Sequence, residues 1–208
     1  MHVDYLTLKR LFRIKGDKSI LVEQLEQLPC PSEIRIGLRY YPVPRNVNEF
    51  RDNIVWGQRL MMATMCENEI DALVNFVANY YYPMATKKPF SETGVIKFFD
   101  RIVTCQAKEL FPVLLRMVTL FEETLQIENK QLNSKPDRTA VAAGINELSI
   151  FSDLTILEMI ADKCRVELEK EAHLVSYNTV FALLLKEKKT AEFNKKYQEL
   201  SLIQSKQK

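Results

Sequence analysis

Two histidines stand among the 208 residues, His2 and His173. Imidazoles are the side chains that most readily act as acid or base near neutral pH. One sits at the very start of the chain, and the other at an expected helix junction, the place of a capping or surface residue. Carboxylates are plentiful, but Glu122 with Glu123 and Glu167 with Glu169 are spaced like the solvated faces of helices. The phosphate-cradling Gly-x-x-x-x-Gly-Lys-Ser/Thr loop, the Gly-x-Gly-x-x-Gly turn, the Gly-x-Ser-x-Gly elbow and the His-Glu-x-x-His zinc pair are all missing. Five scattered glycines make a backbone phosphate cradle hard to build. The expectation is a non-enzymatic protein with no catalytic, cofactor-binding or metal-binding residues.

The four cysteines, Cys30, Cys66, Cys105 and Cys164, lie far apart, with no Cys-x-x-Cys pair and no nearby histidine cluster. That spacing does not suit zinc; it is the pattern of buried free thiols in a reducing compartment. A net charge of +2 gives no bulk drive toward nucleic acid or anionic membrane. Basic residues do cluster near both ends, at Lys9, Arg10, Arg13 and Lys15, and again at Lys186, Lys188, Lys189, Lys195 and Lys196. Glu187, Glu192 and Glu199 interleave with the second group, as on an ordinary exposed helix, so nucleic acid is not expected as a specific ligand. The longest apolar runs, Ile20-Leu-Val22 and Phe181-Ala-Leu-Leu-Leu185, fall far short of the ~20 residues that span a bilayer. His2-Val-Asp-Tyr5 lacks the basic start and apolar core of a secretory signal. Synthesis in the cytoplasm and no membrane partner are expected.

What remains is contact chemistry. In Phe76-Val-Ala-Asn-Tyr-Tyr-Tyr-Pro-Met84, three consecutive tyrosines on a helix point about 100° apart and cannot all face one core. At least one of Tyr80, Tyr81 and Tyr82 is therefore expected on the surface, where tyrosine anchors protein interfaces. The lone tryptophan, Trp56, is followed at once by Gly57 within a stretch, residues 50–62, that reads as an amphipathic helix. Glycine inside a helix costs about 1 kcal/mol relative to alanine. That cost is offset if Gly57 lets a neighbour approach closely, so Trp56 and Gly57 are expected to form a packing node within the chain or between subunits.

These residues need elements to hold them. With 47% hydrophobic and 27% charged residues, the composition is globular and sufficient for one substantial core. Scarce glycine and apolar residues recurring every three or four positions predict a mainly α fold, a helical bundle-like domain with a short irregular or partly β N-terminal segment. Three parts are expected: residues 1–45, with possible strands and a helix from Lys18 to Leu28; a helical core over 46–132; and a helical part over 137–208. Residues 34–41 alternate as a short strand. In the core, Asn48 is expected to cap a helix to about Met65, a second helix runs from Asn68 until Pro83 stops it, and Ser91 caps a third. Residues 110–132 read as the longest helix, with Pro112 near its first turn. Asp137 and Asp153 begin the next two helices, and two or three short ones broken near His173 and Lys186 follow.

Two segments carry a family resemblance. Val43-Pro-Arg-Asn-Val-Asn-Glu-Phe-Arg-Asp-Asn-Ile-Val-Trp-Gly-Gln-Arg-Leu60 resembles the proline, short polar spacer and Asp-x-Ile-x-aromatic-Gly-Gln entry into a helix found in small virion proteins of tailed bacteriophages, especially crAss-like phages. Gly144-Ile-Asn-Glu-Leu-Ser-Ile-Phe151, followed by Tyr177-Asn-Thr-Val180 and Ala191-Glu-Phe-Asn-Lys-Lys-Tyr197, is similar to the tail of such proteins. Together they cover about a third of the chain. The resemblance implies a virion structural protein, a ring-forming connector or tail component near the portal, with portal or tail proteins as partners and a homo-oligomeric ring as its state. A cytosolic tail-assembly chaperone or scaffold is the alternative, followed by a DNA-binding regulator.

Overall fold

The computed structural model describes residues 7, 10, 19–64, 70–133 and 152–206. The expected elements over 3–18, Met65, Cys66, the linker beyond Asn133 and the helix capped by Asp137 lie outside them. The fold is mainly α, with eight helices and one two-stranded antiparallel sheet among the described residues. Helix α1 (Ser19–Glu26) buries Leu25 and leaves Ile20 exposed. Strands β1 (Glu33–Ile36) and β2 (Arg39–Pro42) pair from Glu33 opposite Pro42 to Ile36 opposite Arg39. Gly37 supplies the positive φ, +66°, that this two-residue hairpin loop requires. Alternation turns Ile34 and Ile36 into the core and leaves Glu33 and Arg35 outside. Thr7 makes an isolated antiparallel bridge to Gln106.

The single helix expected over 48–65 is two helices. Helix α2 (Val47–Asp52) is capped by Asn46, not Asn48: its side chain accepts the Glu49 N–H at 2.9 Å, and Glu49 reaches back to the Arg45 N–H. After Asn53 the chain is extended for Ile54 and Val55. There the Trp56 N–H donates to Val175 O, and the Tyr177 N–H donates to Ile54 O. Helix α3 (Trp56–Thr64) then starts afresh. Gly57 is thus its second residue, in the fraying first turn, where a helix tolerates glycine far better than in its interior.

Helix α4 (Ile70–Thr86) runs through Pro83 instead of stopping there. Proline cannot donate to the carbonyl four residues back, here that of Asn79. The Gln58 side chain from α3 takes that role, donating to Asn79 O at 2.6 Å, while Asn79 Nδ2 donates to Gln58 O at 2.9 Å. Both side chains are buried. The helix ends at Lys87, whose φ of +60° turns the chain.

Helix α5 (Glu92–Ile102) is capped by Ser91, as expected, and buries Val95, Phe98 and Ile102. Helix α6 (Ala107–Leu132) holds Pro112 one turn further in than expected, at its sixth position. Helix α7 (Ser152–Cys164) sends Ile160 inward. A 3₁₀ turn (Ala172–Leu174) marks the expected break near His173. Helix α8 (Tyr177–Lys206) corrects two expectations: it continues unbroken through Lys186, and at 30 residues it exceeds the 26 of α6. One core joins α1 and the hairpin to α2–α6, Ile160 of α7 and the first turns of α8.

Candidate functional site

The structure places Trp56 and Gly57 at a close contact within one chain. Trp56 is buried and stacks on Tyr177 at 6.0 Å, with the Arg59 guanidinium 5.2 Å from its ring. Gly57 is where the segment before α8 touches α3. A Cβ added there would lie 2.7 Å from a ring carbon of Phe90 and 3.0 Å from the Cβ and carbonyl oxygen of His173. His173, half-buried, packs edge-on against Phe90.

The three tyrosines are a correction: none reaches the surface. Their 100° spacing holds, but α4 is the central helix and meets a different wall on each side. Tyr80 stacks on Phe50 of α2, 5.3 Å away and nearly parallel. Tyr81 lies against Tyr41 of the hairpin and donates to Pro42 O at 3.1 Å. Tyr82 fills the notch left by Gly94 of α5 and meets Phe98 edge-on. Burial pushes the Tyr80 and Tyr81 phenols well above their ordinary range. All three are core side chains.

A buried polar cluster ties the base of α8 to the body. Glu128 of α6 accepts from both Arg59 Nε, at 3.2 Å, and Arg59 Nη2, at 2.5 Å, and from the Tyr177 hydroxyl at 2.9 Å. Burial opposes the Arg59 charge, but the hydrogen bond and charge of Glu128 outweigh it and leave its pKa raised. The Tyr177 phenol is raised by burial first and then by the Glu128 charge. Arg51 of α2 covers Tyr177 and Phe181 at 5.0 and 4.6 Å from their ring centres. Lys188 Nζ donates to Gln131 O and Asn133 O at the end of α6.

Beyond Lys188 every described residue of α8 is exposed. The helix uses one face, Tyr177, Val180, Phe181 and Leu184, against the body. Phe193, Tyr197 and Leu200 fall on the opposite face, with Ile203 at its edge, and they are exposed by 67%, 63%, 51% and 53%. Phe193 and Tyr197 stack on each other at 6.2 Å. Sequence reasoning missed this stripe by expecting short helices there, although its spacing was legible. The thiols differ from expectation in one respect: Cys105 is buried and Cys164 half-buried, but Cys30 is exposed.

Beside Gly57 lies a groove of about 550 Å³, walled by Leu60 and Phe90 and by Leu154, Leu157 and Leu168. Glu92, Glu169 and His173 stand around it. No described helix is long and apolar enough to cross a membrane. No protein-family model, no curated protein and no solved structure matches the chain.

Proposed function

We propose that the protein is a non-enzymatic assembly component that joins copies of itself through α8, and that it acts as a virion connector or tail ring protein near the portal. The assembly reading rests on one observation: an 18-residue rod, residues 189–206, leaves the body and carries an apolar stripe that no described residue outside the helix covers. Most helical stability in proteins comes from packing one face of the helix, and an uncovered row of aromatic and aliphatic side chains marks an interaction site. The virion assignment rests on the resemblance of residues 43–60 and of the C-terminal segments to crAss-like phage virion proteins.

Light scattering across a concentration series, with negative-stain images of the largest species, tests the assembly reading. Closed rings of one copy number are expected, and a monomer at every concentration overturns it. Mass spectrometry of purified phage particles tests the virion assignment. The protein is expected there at ring stoichiometry; its absence from particles whose tails fail without it would replace the connector by a tail-assembly chaperone.

A further inference from the structure

We infer that the groove beside Gly57 is the receptor for the distal stripe of α8 from a second copy of this chain, so that subunits join head to tail. This rests on the self-assembly reading above and names the two surfaces that would meet.

The rod cannot serve its own groove. The groove begins at Gly57 and His173, which flank the Trp56–Tyr177 stack at the base of α8. Phe193 is 16 positions beyond Tyr177 along an unbroken helix, about 24 Å away at the helical rise, and Ile203 lies about 39 Å away. The base is held by backbone bonds from Tyr177 to Ile54 and from Trp56 to Val175, by Tyr177 on Glu128 and by Asn178 on Asp52 at 2.6 Å. A stiff helix fixed at one end carries its stripe away from that end, so the stripe that can reach a groove belongs to another molecule.

The two surfaces are complementary. Leu60, Phe90, Leu154, Leu157 and Leu168 give the groove apolar walls, and Leu154 is 48% exposed. The charged residues around it are the carboxylates Glu92 and Glu169, with no lysine or arginine among its lining. On α8, helical spacing puts Lys189 and Lys196 on the same face as Phe193 and Leu200, and leaves Glu192 and Glu199 at its border. Gly57 lets Phe90 and His173 close directly over α3, and Phe90 and His173 then form one end of the groove. Contact between two different patches is heterologous, the kind that closes into rings when the rotation between subunits allows.

Mixing two assembly-defective variants decides it. One carries Leu154→Arg in the groove and the other carries Phe193→Ser with Leu200→Ser on the stripe, all at exposed positions. A groove variant with Glu92→Lys and Glu169→Lys serves if Leu154→Arg disturbs the fold by circular dichroism. Each variant alone is expected to be monomeric by light scattering. Their equimolar mixture is expected to form a one-to-one dimer and nothing larger, because one intact groove and one intact stripe remain. If the groove variants assemble like the parent while the stripe variant does not, α8 pairs elsewhere, as with a second α8, and the inference is overturned while self-assembly stands. A parent protein that is monomeric throughout overturns both.

Discussion

The Tyr177 hydroxyl donates to Oε1 of Glu128 across 2.9 Å of buried space. Tyr177 is the first residue of α8, and Glu128 lies one turn before the end of α6. Together with the backbone bonds to Ile54 and from Trp56, this hydrogen bond fixes where the projecting helix begins. Arg59 completes the cluster by neutralising the carboxylate that Tyr177 needs as acceptor. A hydrogen bond to a charged group is stronger than one between neutral partners, and the arrangement aims the distal stripe from a fixed base.

Removing the carboxylate leaves the half-buried Arg59 without its counter-charge. Breaking a buried pair by deleting one partner costs about 3–5 kcal/mol. Because Arg59 keeps some solvent contact, Glu128→Ala is expected to lose the lower end of that range, about 3 kcal/mol, in urea unfolding, and Glu128→Gln less, since it retains an acceptor for Tyr177. Replacing both charges, as Arg59→Met with Glu128→Leu, is expected to recover most of the loss. A double variant no more stable than Glu128→Ala would show that the pair is not what holds α3 to α6.

Alkaline pH tests the buried phenols. Tyr80, Tyr81 and Tyr177 all have pKa values raised above the ordinary 10.0, chiefly by burial. The folded protein keeps their protons where the unfolded chain releases them, so their contribution is complete below pH 10 and is lost as pH rises beyond it. Stability by chemical denaturation is expected to be insensitive to these groups up to about pH 10 and to fall steeply above. Tyr81→Phe should flatten that fall by up to about 1.4 kcal/mol per pH unit, and an unaltered slope would mean that Tyr81 ionises freely in the fold.

At Gly57 the usual rule for helices reverses sign. Alanine in place of an exposed helical glycine stabilises by about 1 kcal/mol, but a Cβ here meets Phe90 at 2.7 Å and the His173 backbone at 3.0 Å. Overpacking of this kind costs about 1–3 kcal/mol. Gly57→Ala is expected to lower the midpoint of thermal unfolding, and pairing it with Phe90→Leu should recover part of the loss. A Gly57→Ala protein more stable than the parent would show that the segment holding His173 yields freely.

Legibility in the sequence followed the range of the forces involved. Ser91 acts over three residues and was read correctly as a cap; the single strand expected over 34–41 is instead a hairpin, because Gly37 turns the chain between β1 and β2. The break at Asn53–Val55 was not legible, because it depends on backbone bonds to Val175 and Tyr177, more than a hundred residues away. The tyrosines misled for a similar reason: local spacing gives their directions but not the number of walls around α4. Trp56 and Gly57 drew notice by type alone, while the groove beside Gly57 exists only where α3, α5 and α7 converge. The α8 stripe was visible in the spacing of Phe193, Tyr197 and Leu200, hidden by the apolar face that the same helix turns to the body.

Pro83 gives the sharpest test of how distant residues override a local signal. A proline should end α4, yet the helix continues because Gln58 donates to the Asn79 carbonyl that Pro83 leaves free. Gln58→Leu strands that buried carbonyl, at a cost of about 1–3 kcal/mol. The cost should shrink when Pro83→Ala restores an N–H able to bond Asn79 within the helix. Gln58 also accepts the Val55 N–H at 3.0 Å, so part of the Gln58→Leu loss persists in either background. A double-mutant cycle by urea unfolding is therefore expected to show a coupling of about 0.5–3 kcal/mol. Strict additivity would mean that the side chain of Gln58 does not sustain the helix past its proline.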